Sequence, residues 1–224
     1  MEEVRKTGGP NEAGQAVTPR KAVFLDRDGT MNTEVNYLHR PEDLELIPGT
    51  AEAVKLLNEA GFAVIVVTNQ AGVARGYYTE DDVEALHHYM NEKLGETGAA
   101  VDAFYYCPHH PEHGVGRYRT ECGCRKPGTG MFEAAARDLA GGIDREHSWM
   151  IGDKLIDTEA GHNFGVRSIL VGTGYGETIR KEQETAGKLT EDGRCTDGSY
   201  EYYAKDLLAA ARFILEEARE TGKN

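Results

Sequence analysis

Long apolar runs are missing from this chain of 224 residues: nothing approaches the roughly 20 consecutive apolar residues that a helix needs to cross a bilayer. The first stretch, Met1 to Lys21, holds no apolar signal core and is rich in Gly, Glu, Lys and Pro, the composition of a disordered tail. Basic residues are scarce as well. Lys and Arg number 25 against 38 Asp and Glu, a formal charge of -13 with a pI near 5.1, which argues against a nucleic acid or an anionic membrane as partner. A site for a phosphorylated substrate in such a chain has to be locally basic. Cysteine is sparse: of four, Cys107, Cys122 and Cys124 share one short segment, which suggests metal more than a secreted disulfide frame and hence a reducing compartment, the cytoplasm. Cys195 lies apart and reads as a free thiol. No internal repeat is evident. The length suits one domain over 22–221, and nothing in it demands more than a monomer.

What is present alternates between strand and helix signals. Ala22 to Asp26 reads as a strand, Pro48 to Ala60 as a helix with Ala51, Val54 and Leu57 on one stripe, and Phe62 to Thr68 as a buried strand. Thr79, with Asp82 three residues on, opens a helix whose apolar face carries Val83, Leu86, Met90 and Leu94. A strand is expected over Val101 to Tyr106, then a helix from about Thr129 to Leu139, a strand Ser148 to Ile151, a helix near Thr158 to Phe164 and a strand Ser168 to Val171. The polar segment 172–198 reads as a mobile loop before a final helix beginning near Ala204. Repeated βα alternation implies an α/β fold, a mostly parallel sheet with helices on both faces, and ligands at the carboxyl ends of its strands.

Polar residues gather at those ends. Asp26 and Asp28 follow the first strand, one residue apart, so both carboxylates face one side and crowd one space unless a cation lies between them. Such crowding raises one pKa and lowers the other, dividing the pair into an ionised nucleophile and a proton carrier. Asp-x-Asp-Gly also opens a calcium loop, but Thr30 stands at the next ligand position, Tyr37 at the twelfth, and a strand precedes. Thr68, Asn69 and Gln70 end the second strand, where a hydroxyl and backbone N–H groups suit phosphate oxygens. Asp153 follows Gly152, beside Lys154, on the same rim; it suits a metal ligand or a helix N-cap. Cys107-x-His109 and Cys122-x-Cys124, twelve residues apart, supply an imidazole and three thiolates, the donors of a closed structural zinc site, with His110 and His113 as spare imidazoles.

Together these motifs resemble the haloacid dehalogenase superfamily of phosphatases. Asp26-Arg27-Asp28-Gly29-Thr30 matches its first motif, Thr68 its second, Lys126 its third and Gly152-Asp153 its fourth, over roughly Ala22 to Gly172. More narrowly, Thr68 to Gly76, Cys107-Pro108-His109 and Cys122 to Pro127 resemble the D-glycero-D-manno-heptose 1,7-bisphosphate 7-phosphatases, with histidinol-phosphate phosphatases as close relatives. The resemblance implies a Rossmann-like fold without a large cap, and a zinc loop over 107–124. It implies that Asp26 attacks phosphorus and that Asp28 is the acid–base group. Magnesium would then be held by Asp26, by the backbone carbonyl of Asp28 and by Asp153, and zinc by Cys107, His109, Cys122 and Cys124. Thr68 and Lys126 would bind the transferring phosphoryl group. Glu34, Val35, Asn36 and Tyr37 would face sugar hydroxyls, and Arg125 a distal phosphate, with Asn69, Gln70 and Lys154 nearby and Arg75 as a second anion contact. The expected substrate is a small phosphorylated sugar. Three other readings compete: a histidinol-phosphate phosphatase, an inactive zinc-stabilised binding protein, and a nucleic-acid 3'-phosphatase. The complete set Asp26, Asp28, Thr68, Lys126 and Asp153 argues against the second, and the acidic charge against the third.

Overall fold

β-branched and aromatic residues dominate the apolar runs, and in the computed structural model, which describes residues 5–7 and 18–221, these runs are the strands of one sheet. The strands are β1 (Arg5–Thr7), β2 (Ala22–Leu25), β3 (Ala63–Asn69), β4 (Ala103–Cys107), β5 (Trp149–Gly152), β6 (Arg167–Val171) and β7 (Tyr202–Ala204). Their spatial order is β1-β4-β3-β2-β5-β6-β7. Six are parallel, and β1 pairs antiparallel to β4 at the edge. The expected tail thus contains a strand at 5–7; the remainder of that expectation, apart from 18–21, lies outside the described residues.

Alternate residues of each strand feed opposite faces. Val23, Leu25, Val64 and Val66 pack with Ala53, Val54 and Leu57 of α1 (Thr50–Glu59), Met90 and Leu94 of α3 (Glu80–Gly95), and Leu207, Ala210, Ala211 and Ile214 of α7 (Leu207–Thr221). On the other face Phe24, Ile65 and Val67 meet Met131, Phe132 and Ala135 of α4 (Gly130–Asp138) and Ala160 and Phe164 of α5 (Leu155–Phe164). The Phe24 ring sits 4.7 Å from Phe132 and 5.6 Å from Phe164, and burying one such ring is worth about 1.5–3 kcal/mol. The short α2 (Ala71–Ala74) follows β3, and Thr79 forms the expected capping box at the start of α3.

Three segments depart from the sequence reading. The stretch 172–198 contains α6 (Gly176–Thr185) and a hairpin-like closure in which Leu189 bridges Cys195. α6 carries a single large apolar residue, Ile179, and its charges pair along its own surface, Arg180 with Glu177 and with Glu184. The final helix starts at Leu207, after β7, and α5 starts at Leu155, three residues before Thr158. No helix among the described residues is long and apolar enough to cross a membrane.

The chain runs from β2 outward through β3 to β4, then returns to β5 on the other side of β2. The crossovers therefore diverge between β2 and β5, and the crevice at their carboxyl ends is where an open parallel sheet takes its ligand.

Candidate active site

The end of β2 delivers Asp26 into that crevice and the end of β5 delivers Asp153. Both are buried. The segment before α4 brings Lys126, whose Nζ lies 2.8 Å from Asp26 Oδ1 and 2.6 Å from Asp157 Oδ1. Asp157 was not anticipated. It occupies the third position of α5, where its carboxylate also accepts from the Lys154 backbone N–H at 3.1 Å. Starting that helix at Thr158 hides this role; an acidic residue in the first turn was the available signal.

Two buried carboxylates, Asp26 and Asp157, therefore face one buried ammonium, and the third, Asp153, has Lys154 at the rim, its Nζ 3.5 Å from Asp153 Oδ1. Burial, and then the Asp26 charge, push the Asp153 carboxyl up to about 7. Burial likewise lifts Asp157 to about 6 against the pull of Lys126. Burial alone would lower the Lys126 pKa, but Asp157 and Asp26 outweigh it and hold the ammonium charged. Asp26, Asp153 and Asp157 each present an oxygen within 4.8 Å of the others, and the buried Asp153 Oδ1 accepts no hydrogen bond. Both oxygens of Asp157 are engaged, Oδ1 by Lys126 and Oδ2 by the Lys154 backbone N–H, whereas Asp26 meets Lys126 through Oδ1, so a hard divalent cation is suited to the oxygens of Asp26 and Asp153. Gly29, at φ +83, and Gly174, at φ +55, border this cluster, and a Cβ on either would land on Asp153 Oδ2.

Asp28 is not part of that crowd. Its carboxylate turns to Arg27, which is fully buried and reaches Oδ1 at 3.0 Å and Oδ2 at 2.9 Å through Nη2. Asn32 Nδ2 donates to Oδ1 and Gln70 Nε2 to Oδ2, each at 3.0 Å. Burial favours the neutral acid here, but the Arg27 charge and these hydrogen bonds overcome it and hold Asp28 below its ordinary value. The expectation that mutual repulsion would set the Asp26–Asp28 pair is thus corrected: a guanidinium between neighbouring residues governs Asp28 instead. Arg27, the x of Asp-x-Asp, went unread because arginine beside acidic residues ordinarily marks a solvated surface.

The remaining candidates sort by geometry. Asp26, Asp28, Glu34, Asn36, Tyr37, Thr68, Asn69, Gln70, Arg125, Lys126 and Lys154 line a cleft of about 350 Å³, with Ala71, Tyr78, Ile156 and Asp157. Val35 is exposed and does not line it. Tyr37 holds a left-handed φ of 65 with its ring 4.7 Å from Tyr77. Gln70 and Asn69 have their amides engaged by protein. Gln70 Nε2 also donates to Thr68 Oγ1 at 2.9 Å, and its Oε1 accepts from Tyr78 at 2.7 Å. Asn69 brackets the Lys126 backbone, accepting from its N–H at 3.0 Å and donating to its carbonyl at 3.3 Å. Glu34 pairs with Lys154 at 3.4 Å.

Cys107 at the end of β4 meets Cys122 and Cys124 with Sγ separations of 3.4, 2.9 and 3.2 Å around the triangle, and His109 Nδ1 lies 3.5 Å from Cys124 Sγ. All four donor atoms lie within 4.8 Å of one another. They are too far apart for disulfides, and three thiolates with one imidazole are the donor set of a closed zinc site. His110 turns its Nδ1 to the backbone N–H groups of Glu112 and His113 instead. Arg125 Nη1 donates to the His109 carbonyl at 3.3 Å, which ties the cleft arginine to this cluster.

Comparison with known proteins agrees with this arrangement. A family model described as HAD-hydrolase-like matches residues 123–192. A D-glycero-D-manno-heptose-1,7-bisphosphate 7-phosphatase from Thermosynechococcus vestitus is 45% identical over 206 residues, 88% of this chain and 96% of its own. The D-glycero-beta-D-manno-heptose-1,7-bisphosphate 7-phosphatase of Escherichia coli K12 is 44% identical over 74% of this chain and 85% of its own. Among solved structures, the D,D-heptose 1,7-bisphosphate phosphatase of B. bronchiseptica, complexed with magnesium and phosphate, superposes with a TM-score of 0.71 at 32% identity, covering 88% of this chain and 99% of that one. Motifs, sheet order and relatives converge: the chain belongs to the heptose-bisphosphate phosphatase family of haloacid dehalogenase-like hydrolases.

Proposed function

We propose that the protein removes the 7-phosphate of D-glycero-D-manno-heptose 1,7-bisphosphate through an aspartyl-phosphate on Asp26, in the making of nucleotide-activated heptose for lipopolysaccharide or other surface glycan. The observation that carries this reading is the buried Asp26–Lys126–Asp157 chain beside Asp153 at the switch point of the sheet. Lys126 holds the Asp26 carboxylate in one orientation and offers its ammonium to the phosphoryl oxygens, with the Thr68 hydroxyl as a second donor. Asp26 attacks phosphorus, and splitting the hydrolysis into two displacements lowers each barrier. Asp28 has to take up a proton against the pull of Arg27 as the phosphate dianion binds, and delivers it to the leaving sugar oxygen; its ionised form, the one Arg27 favours, then takes a proton from the water that opens the intermediate.

Magnesium held by Asp26, the Asp28 carbonyl and Asp153 would neutralise charge between the nucleophile and the phosphate dianion. Zinc on Cys107, His109, Cys122 and Cys124 would be structural, fixing the loop that presents Arg125 and Lys126. Arg125 would take the distal phosphate with its fork of donors, which favours a bisphosphate. Glu34, Asn36 and Tyr37 would contact sugar, and Lys154 substrate or the acidic cluster. The three thiols suit a reducing cytoplasm, and we read the working form as a monomer without nucleic-acid or membrane partners.

The test is phosphate release with magnesium, comparing kcat/KM for the α and β anomers of heptose 1,7-bisphosphate with histidinol phosphate. A preference for a heptose anomer is expected and identifies which one. Preference for histidinol phosphate overturns the substrate assignment.

A further inference from the structure

We propose that Arg27 is a positioning residue for the Asp28 carboxylate, itself held in place by His87 and Gln70; the inference rests on Asp28 being the acid–base group. Arg27 is fully buried, and its Nε and Nη2 reach both oxygens of Asp28. Nη1 lies 3.3 Å from His87 Nε2. A guanidinium has no acceptor, so the imidazole must accept there and carry its own proton on Nδ1. His87 is buried too, stacked on Phe104 at 4.6 Å, and so cannot turn away. Gln70 closes the frame from the other side. Its Oε1 accepts from Arg27 Nη2 at 3.2 Å and from Tyr78, while its Nε2 joins Asp28 Oδ2 to the Thr68 hydroxyl. An ion pair needed only for folding would not require a histidine on α3 behind the guanidinium or a link to the phosphoryl-binding threonine. The frame fixes the acid–base oxygens relative to Thr68, and so relative to the leaving oxygen.

The experiment uses the full-length, metal-loaded enzyme and a series of aryl phosphates of rising leaving-group pKa, compared by kcat/KM. A good leaving group departs without a proton, whereas a poor one needs a correctly placed acid. In His87→Leu, the loss is expected to grow along the series, from within about twofold for the best leaving group to roughly tenfold for the poorest. His87→Gln supplies an acceptor for Arg27 and is expected to restore the wild-type slope. Tyr78→Phe, which keeps the packing and drops one hydrogen bond, is expected to steepen the slope by a smaller amount and decides the matter if His87→Leu does not fold. Equal loss across the series means general loosening and overturns the proposal. So does an unchanged slope in these variants while Asp28→Asn steepens it. An unchanged slope in Asp28→Asn itself removes the acid role from Asp28, and the proposal falls with it.

Discussion

At the scale of single residues, the cleft separates charge that must react from charge that must hold. Asp26 sits against Lys126 at 2.8 Å, and Asp26→Asn keeps the shape while removing the proposed nucleophile. Turnover is expected to fall by roughly a thousandfold or more with zinc content unchanged; steady-state kinetics beside metal analysis checks both. Gly29→Ala puts a Cβ onto Asp153 Oδ2 at a φ of +83, so both backbone strain and a displaced carboxylate are expected. Activity should drop at least roughly tenfold, and stability by about 1–3 kcal/mol, in chemical denaturation. His87 lies well below its ordinary pKa because of burial and the Arg27 charge. The unfolded chain therefore takes up a proton near pH 6.5 that the native imidazole refuses, and stability present above that pH is lost as pH falls below it. His87→Gln is expected to flatten this part of the Tm-versus-pH curve between about pH 7 and 5. That Asp26, Asp28, Thr68 and Asp153 gather at strand ends was legible in the sequence because acidic and hydroxyl residues closing apolar strands have few other uses, while Lys126 was reached only through the resemblance. Arg27, Asp157 and His87 were hidden because their roles depend on partners far along the chain: Lys126 for Asp157, and a helix 60 residues away for Arg27.

At the scale of elements, apolar period and capping residues located most strands and helices within a few positions. α6 escaped because its surface is polar all round, and β7 because three residues give too little pattern to read. The segment from Cys107 to Cys124 has neither period nor propensity, yet its donors converge within 4.8 Å. Its order is expected to come from the metal. Cys122→Ser should lose zinc, and a loss of a few kcal/mol at about 2–4 °C per kcal/mol lowers Tm by roughly 10 °C. Calorimetry with and without a chelator checks it: the wild type should shift on chelation and the variant should not. Because Arg125 is tied to the His109 carbonyl, the same substitution should raise KM for a bisphosphate more than for a monophosphate.

For the whole molecule, a net charge of -13 surrounds a cleft that gathers Lys126, Lys154 and Arg125. These cations sit at different depths. Lys126 is buried beside Asp26, while Arg125 is half-buried toward the Cys107–Cys124 cluster. A substrate with two phosphates can satisfy both, one at the reacting end and one at the far end, and the sugar between them then spans the cleft. Which of the two phosphates takes the reacting end decides the regiochemistry of hydrolysis. The most direct measurement is 31P NMR of the product formed from heptose 1,7-bisphosphate with magnesium. The account predicts heptose 1-phosphate, with the anomeric phosphorus signal retained and the 7-phosphate signal replaced by inorganic phosphate. Formation of heptose 7-phosphate, or no turnover of either phosphate, would contradict it.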